Sequence, residues 1–184
     1  TYEKNDISSE ELSSFFDAFK AGAFDGINIT IPHKEHGLEF VDELDESVKI
    51  LGNANCITRK GNSLKGYNTD LYGFEMMLHH NDISVESKHC LVLGAGGSSK
   101  TIVKALIDGH AASITIKNKS MENALRIQAY AQAISDIDIQ IFDKADIKFD
   151  LAINTTPLGM YQQDDKDDFF NIPIHQESIL IDLI

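Results

Sequence analysis

Residues 90–106, CLVLGAGGSSKTIVKAL, join an apolar strand, a glycine-rich turn and an amphipathic helix without a break. Cys90, Leu91, Val92 and Leu93 form an unbroken apolar run, the pattern of a parallel strand covered on both faces. Gly94 and Gly96 permit a tight turn and close backbone approach, and Gly97, Ser98 and Ser99 open a helix carrying Ile102, Val103, Leu106 and Ile107 on one side. Such a helix start presents unbonded N–H groups and the positive end of the helix dipole to whatever sits over the turn. A pyrophosphate suits that environment, which makes Gly94, Ala95, Gly96, Gly97 and Ser98 candidate cofactor-binding residues. Ser99 stands where G-x-G-x-x-G has its third glycine, so the strand-turn-helix setting carries more of the argument than the glycine pattern. The competing reading is a helix start that only needed flexible residues; Lys100 is either a charge near phosphate or a solvated helix lysine.

Downstream of this unit, strand patterns at 113–116, 137–141, 151–153 and 179–183 alternate with a helix over about 120–134. Strands and helices in that rhythm predict a Rossmann-type, doubly wound parallel sheet over residues 85–184. Upstream, residues 1–84 read as a separate α/β domain. Ser8 and Glu11 match a capping box ahead of Leu12, Phe15, Phe16 and Phe19 at helical spacing, with Gly22 as the stop. Residues 26–31 alternate Ile27, Ile29 and Ile31 with Asn28 and Thr30 as a strand does, and Lys34 follows at the start of an expected helix running through Val41. Polar side chains at the carboxyl end of a strand are where α/β proteins hold ligands. A short helix with a connector is expected over 43–52, then a hairpin over 54–67 turning at Lys60, Gly61 and Asn62. Asn68, Thr69 and Asp70 then open a helix, and taken alone Asp70 is a capping carboxylate.

The net charge of −13 argues against a nucleic-acid partner, because a phosphate backbone requires a basic face. No apolar run approaches the length that spans a bilayer. Cys56 and Cys90 sit in apolar or strand-like runs and read as reduced thiols, which fits a cytoplasmic enzyme. The histidines lack ligand spacing, so no metal is expected. The first residue, Thr1, is not a methionine and Ile184 lies inside an apolar run, so both domains are expected to be incomplete.

Three stretches taken together, Asn28-Ile29-Thr30-Ile31-Pro32-His33-Lys34, Gly66-Tyr67-Asn68-Thr69-Asp70 and Asn154-Thr155-Thr156-Pro157-Leu158-Gly159-Met160, arranged around Gly94-Ala95-Gly96-Gly97, resemble the shikimate dehydrogenase family. The resemblance implies a substrate domain followed by a nicotinamide-binding Rossmann domain, with the active site in the cleft between them. It implies Lys34 and Asp70 as the catalytic pair, also contacting substrate, and Thr30 and Asn55 as holders of substrate hydroxyls. Asn28, Asn68 and residues 154–160 would shape the cleft, with Thr155 and Met160 on the cofactor side. The implied reaction is the reversible reduction of 3-dehydroshikimate to shikimate by NADPH, a step of aromatic amino-acid biosynthesis, in a monomer or homodimer.

Such chemistry wants these residue types. A ketone taking up hydride builds negative charge on oxygen, which an ammonium stabilises and can protonate. A neighbouring carboxylate orients the ammonium and accepts a substrate hydroxyl. For the cofactor, Ile116-Lys117-Asn118-Lys119-Ser120 carries no acid for the ribose hydroxyls that NAD enzymes bind, and is similar to the family's Asn-Arg-Thr clamp for the extra phosphate of NADP. Lys119 replaces the arginine with a point charge and Ser120 replaces the threonine; the family's second arginine falls at Asn123, with Arg126 one turn later. Asn118, Lys119 and Ser120 are therefore the NADP-selecting candidates. The family also implies a Ser-x-Ser strand before Thr1 and a tyrosine and a glutamine beyond Ile184. Two rival readings are a quinate/shikimate dehydrogenase of mixed cofactor use and a non-catalytic dinucleotide-binding regulator.

Overall fold

A computed structural model of the chain describes residues 2–30, 32–143, 148–158, 169 and 171–183. Packing divides it into two units, Thr1–Asp70 and Leu71–Ile184.

The first unit is built on an aromatic cluster. Helix α1 (Leu12–Lys20) buries Leu12, Phe16 and Phe19, and the Phe16 ring stacks on Phe40 at 4.7 Å between centroids. The capping box is one-sided. Glu11 accepts from the Ser8 N–H at 2.9 Å and from its hydroxyl at 2.8 Å, but the Glu11 N–H goes to the Ser8 carbonyl oxygen. These bonds to Ser8 hold the Glu11 carboxyl below its ordinary range.

Strands β1 (Gly26–Asn28), β2 (Glu43–Leu44), β3 (Cys56–Lys60) and β4 (Ser63–Tyr67) form a sheet in the order β1-β3-β4-β2, antiparallel except for β2 beside β4. The expected strand at 26–31 is pairing only as far as Asn28. Its alternation persists beyond: Ile29 is buried while Asn28 and Thr30 are exposed, and Ile31 lies outside the described residues. The helix expected from Lys34 is instead a 3₁₀ turn, His36–Phe40. Gly37 is buried there against Ile29, into which a side chain would run, and Val41 is already extended. Helix α2 (Glu46–Leu51) is capped by Asp45, which accepts from the Ser47 N–H, and ends at left-handed Gly52.

The second unit opens with helix α3 (Asp70–His80), whose Phe74 and Leu78 enter the larger core. That is why the units part after Asp70, earlier than the residue 84 expected from composition. Strands β5 (His89–Leu93), β6 (Ser113–Lys117), β7 (Asp138–Ile141), β8 (Phe149–Asn154) and β9 (Ile174–Asp182) form an all-parallel sheet in the order β7-β6-β5-β8-β9. Helices α4 (Gly97–Asp108) and α5 (Met121–Ile134) bring Ile102, Val103, Leu106, Ala124, Ile127 and Ala131 onto Cys90, Val92, Ile114, Ile116, Leu151 and Ile153. On the other face Leu91, Leu93 and Ala152 pack with Phe149. Burial on both faces explains the unbroken apolar run of β5 and pushes the Cys90 thiol up to about 12.

From β5 the chain winds to β6 and β7 on one side and returns to β8 and β9 on the other. The reversal falls between β5 and β8, where Leu93 pairs with Asn154, and such a switch point leaves room for a ligand at the strands' carboxyl ends.

Candidate active site

Lys34 and Asp70, distant in sequence, meet inside the first unit. Lys34 Nζ donates to Asp70 Oδ2 at 2.7 Å, with the lysine side chain 16% exposed and the aspartate 37%. Each is delivered by local structure. The loop after β1 is tied down when Ile29 donates to the Asn55 carbonyl, Ala54 donates to the Lys34 carbonyl, and the His33 ring lies 2.7 Å from the Ile7 carbonyl oxygen. Asp70 is the first residue of α3, yet it does not cap the helix. Asn68 does so, its Oδ1 accepting the Asp70 N–H at 3.0 Å, which frees the Asp70 carboxylate for side-chain partners.

Asn55 takes the second oxygen of that carboxylate, donating to Asp70 Oδ1 at 2.6 Å and to Thr69 Oγ1 at 3.0 Å, while its own oxygen accepts the Thr69 N–H. Asp70 thus holds an ammonium on one oxygen and an amide on the other. Thr30 is exposed in the same loop after β1 as Lys34, and its carbonyl turns the chain by accepting from His33.

Beneath this pair lies a buried amide couple, of which the sequence pointed to Asn68 but not to its partner Asn53. Asn68 Nδ2 donates to Asn53 Oδ1 at 2.7 Å and to the Asn53 carbonyl at 3.2 Å, and both side chains are buried. Asn68 N–H donates to Ser47 Oγ, whose hydroxyl goes to Asp45 and holds that carboxyl low. A chain of bonds therefore runs from the cap of α2 to the backbone of Asp70. Two asparagines fifteen residues apart carry no periodic signal, so only the hairpin that folds β3 onto β4 reveals them.

In the second unit, Gly94 is buried with φ +112°, and a side chain there would collide with Thr155 Oγ1. Its N–H donates to the Lys117 carbonyl, joining the turn to the end of β6. Gly96 is exposed with open space before it, and Gly97 begins α4, so Ala95, Gly97 and Ser98 line one helix start as expected. Thr155 points its hydroxyl back to the Leu93 carbonyl at 2.7 Å. Asn154 holds the following turn, accepting from the Thr156 N–H and donating to the Leu158 carbonyl and to Asp182. Met160 lies outside the described residues.

Asn118 donates to the Ser120 carbonyl, and the Ser120 hydroxyl accepts the Asn123 N–H, so two of the three clamp candidates brace the start of α5. Lys119 is exposed with its Nζ 6.0 Å from the Phe169 ring centre, whereas Lys117 lies over Phe142 at 4.6 Å and donates to the Asn171 carbonyl. With lysine charge and no acid from 117 to 120, this strand end fits a dinucleotide carrying an additional phosphate.

Residues 1–57 match the family model described as the shikimate dehydrogenase substrate binding domain, and residues 77–160 match shikimate / quinate 5-dehydrogenase. The chain belongs to the shikimate dehydrogenase family. It is 32% identical to the shikimate dehydrogenase (NADP(+)) of Clostridium beijerinckii over all of the chain and 66% of that relative. Among solved structures it is similar to the shikimate 5-dehydrogenase of Thermus thermophilus in complex with NADP(H) and shikimate, with 25% identity, TM-score 0.84, and coverage of 100% of this chain and 67% of that one. It is also similar to the ligand-free 5-ketofructose reductase of a Gluconobacter strain, with 27% identity, TM-score 0.77, and coverage of 98% and 66%. The chain spans between about half and two thirds of the length of the curated relatives it matches. Among the described residues no helix is long and apolar enough to cross a membrane.

Proposed function

We propose that the protein reduces 3-dehydroshikimate reversibly to shikimate with NADPH, on the route to aromatic amino acids, with residues 1–84 serving the substrate and 85–184 the cofactor. The observation that carries this reading is the Lys34–Asp70 ion pair, a loop lysine and a helix-start aspartate brought to 2.7 Å in the shikimate dehydrogenase family.

NADPH, when bound, supplies the hydride that adds to the carbonyl carbon. Lys34 Nζ faces the carbonyl oxygen, lowers the cost of the charge that builds there and delivers the proton that completes the hydroxyl. Asp70 keeps the ammonium aimed and accepts a neighbouring substrate hydroxyl. Asn55 holds the Asp70 carboxylate from its other oxygen and, with Thr30, offers further polar groups to substrate. In the second unit the first-turn amides of α4 receive the pyrophosphate, and Lys119 with the α5 start at Asn118 and Ser120 receives the 2′-phosphate. Met160 belongs to the cofactor side of this reading, and Thr155, whose hydroxyl is bound to the Leu93 carbonyl, serves that side by holding the glycine turn. A cytoplasmic monomer or homodimer completes it, supported by two free thiols, Cys56 and Cys90.

The likeness to a 5-ketofructose reductase favours a second reading, in which another polyhydroxylated ketone is the substrate of the same pair. Oxidation of shikimate, quinate and the polyol of that second reading, each with NADP⁺ and NAD⁺, separates them. Turnover of shikimate with a clear NADP⁺ preference is the expected result. Preference for quinate, for the polyol or for NAD⁺ would overturn the corresponding part.

A further inference from the structure

Ser99 fills the position where the G-x-G-x-x-G pattern has its last glycine, and its side chain is completely buried at the junction of β5, α4 and Thr155. A glycine at that position lets helix and strand pack closely. Here a hydroxyl occupies the space, and each of its contacts has a defined direction. Thr155 Oγ1 lies 2.7 Å from the Leu93 carbonyl oxygen, which can only accept, so the single Thr155 hydroxyl hydrogen is committed there. Ser99 Oγ lies 2.7 Å from Thr155 Oγ1 and must be the donor of that bond. The Ser99 oxygen in turn accepts the Gly96 N–H at 3.0 Å. The Thr155 N–H also reaches the Leu93 oxygen, at 2.8 Å, using its second lone pair.

The bonds therefore run one way, from Gly96 N–H through the Ser99 and Thr155 hydroxyls to the carbonyl of Leu93, the last residue of β5. They close a loop that starts and ends on the backbone either side of the glycine turn. Gly94 lies within it, which is why a side chain there would strike Thr155 Oγ1 and, less closely, Thr156.

We propose that Ser99 and Thr155 are positioning residues that preset the glycine turn for a dinucleotide, acting from behind the turn without touching the ligand. The inference rests on the reading that this turn holds the cofactor pyrophosphate. It also says which amides do so. The Gly96 N–H is turned inward, leaving the first-turn N–H groups of Gly97 and Ser98, which have no helical carbonyl to bond, as the outward donors.

The test compares Ser99→Ala, Thr155→Val and Thr155→Ser in the purified protein by NADPH titration, steady-state kinetics and hydrogen exchange at the Gly96 amide. Ser99→Ala and Thr155→Val are each expected to raise the Kd for NADPH about three- to tenfold, the worth of one internal hydrogen bond, with kcat changed less than about twofold. Thr155→Ser keeps the hydroxyl and should bind as wild type does. The double variant should bind no more weakly than the worse single one, because both break the same chain. A role confined to stability would lower the melting temperature without moving Kd or the serine rescue. Unchanged Kd in both deletions, or Thr155→Ser as weak as Thr155→Val, overturns the proposal. A wild-type protein that binds no NADPH overturns the proposed function instead; the relay itself then falls if the Gly96 amide exchanges no faster in Ser99→Ala than in wild type.

Discussion

The Lys34–Asp70 pair and the Gly94 turn are both suited to negative charge, and they are built by opposite means. The pair uses side chains from a loop and a helix start, partly open to solvent, and needs the fold of the first unit to bring them together. The turn uses main-chain N–H groups within one strand-turn-helix segment, and its side chains serve only to hold the backbone. A charge presented by a side chain can be deleted with little harm to the fold. A charge site made of backbone cannot be removed without changing the backbone that carries the core.

The sharpest way to break this contrast is at Lys34. Lys34→Ala should lower kcat by about 10²- to 10⁴-fold, the range for losing a positioned acid, while the melting temperature stays near wild type because Asp70 remains partly hydrated and bonded to Asn55. Steady-state turnover beside a thermal melt checks both halves; near-normal turnover removes Lys34 from the chemistry.

Next in size, Gly94→Ala forces a side chain into a left-handed position against Thr155 and should cost about 1–3 kcal/mol of stability, whereas Gly96→Ala, at open space, should leave stability within about 1 kcal/mol. Chemical denaturation of the two variants tests the difference, and equal losses would mean the turn is not held from behind.

A smaller effect sharpens the side-chain half. Asn53→Ala removes the amide that fixes Asn68 under Asp70 and should reduce kcat by about tenfold or less with a stability loss of roughly 1–2 kcal/mol, whereas Asn53→Asp, able to accept the Asn68 amide, should retain more of both. If the two variants are equally impaired, the orientation of Asn68 is immaterial.

The least perturbing test reads the two thiols. Cys90 lies at the centre of the parallel sheet with its thiol pushed up to about 12, so at pH 8 about one in 10⁴ is ionised, and it should label only on unfolding. Cys56, on β3 and half-buried, should label in the native protein. Two thiols reacting together before unfolding would contradict the packing of the second unit.

The elements of the second unit were legible because each signal is short-range: apolar runs for strands buried on both faces, a 3.6-residue period for α4 and α5, and glycines where φ turns positive. Where expectation and structure part, a longer-range contact decides. The helix expected after Lys34 tightens into a 3₁₀ turn because Gly37 is pressed onto Ile29. Asp70 loses its capping role to Asn68 because Lys34 and Asn55 claim its oxygens. Helix α3 joins the second unit because Phe74 and Leu78 find more apolar surface there.

By itself the sequence determined the α/β class, the parallel sheet, the phosphate-type turn and, through resemblance, the identity of the catalytic candidates, since all of these are written in patterns that span a few residues or in motifs read whole. Resemblance paired Lys34 with Asp70, but only the tertiary structure brought them to 2.7 Å and decided the other partners, Asn53 with Asn68 and Ser99 with Thr155. Hydrogen bonds between side chains depend on distances of a few tenths of an ångström between residues far apart along the chain, and no periodicity in the sequence encodes those distances.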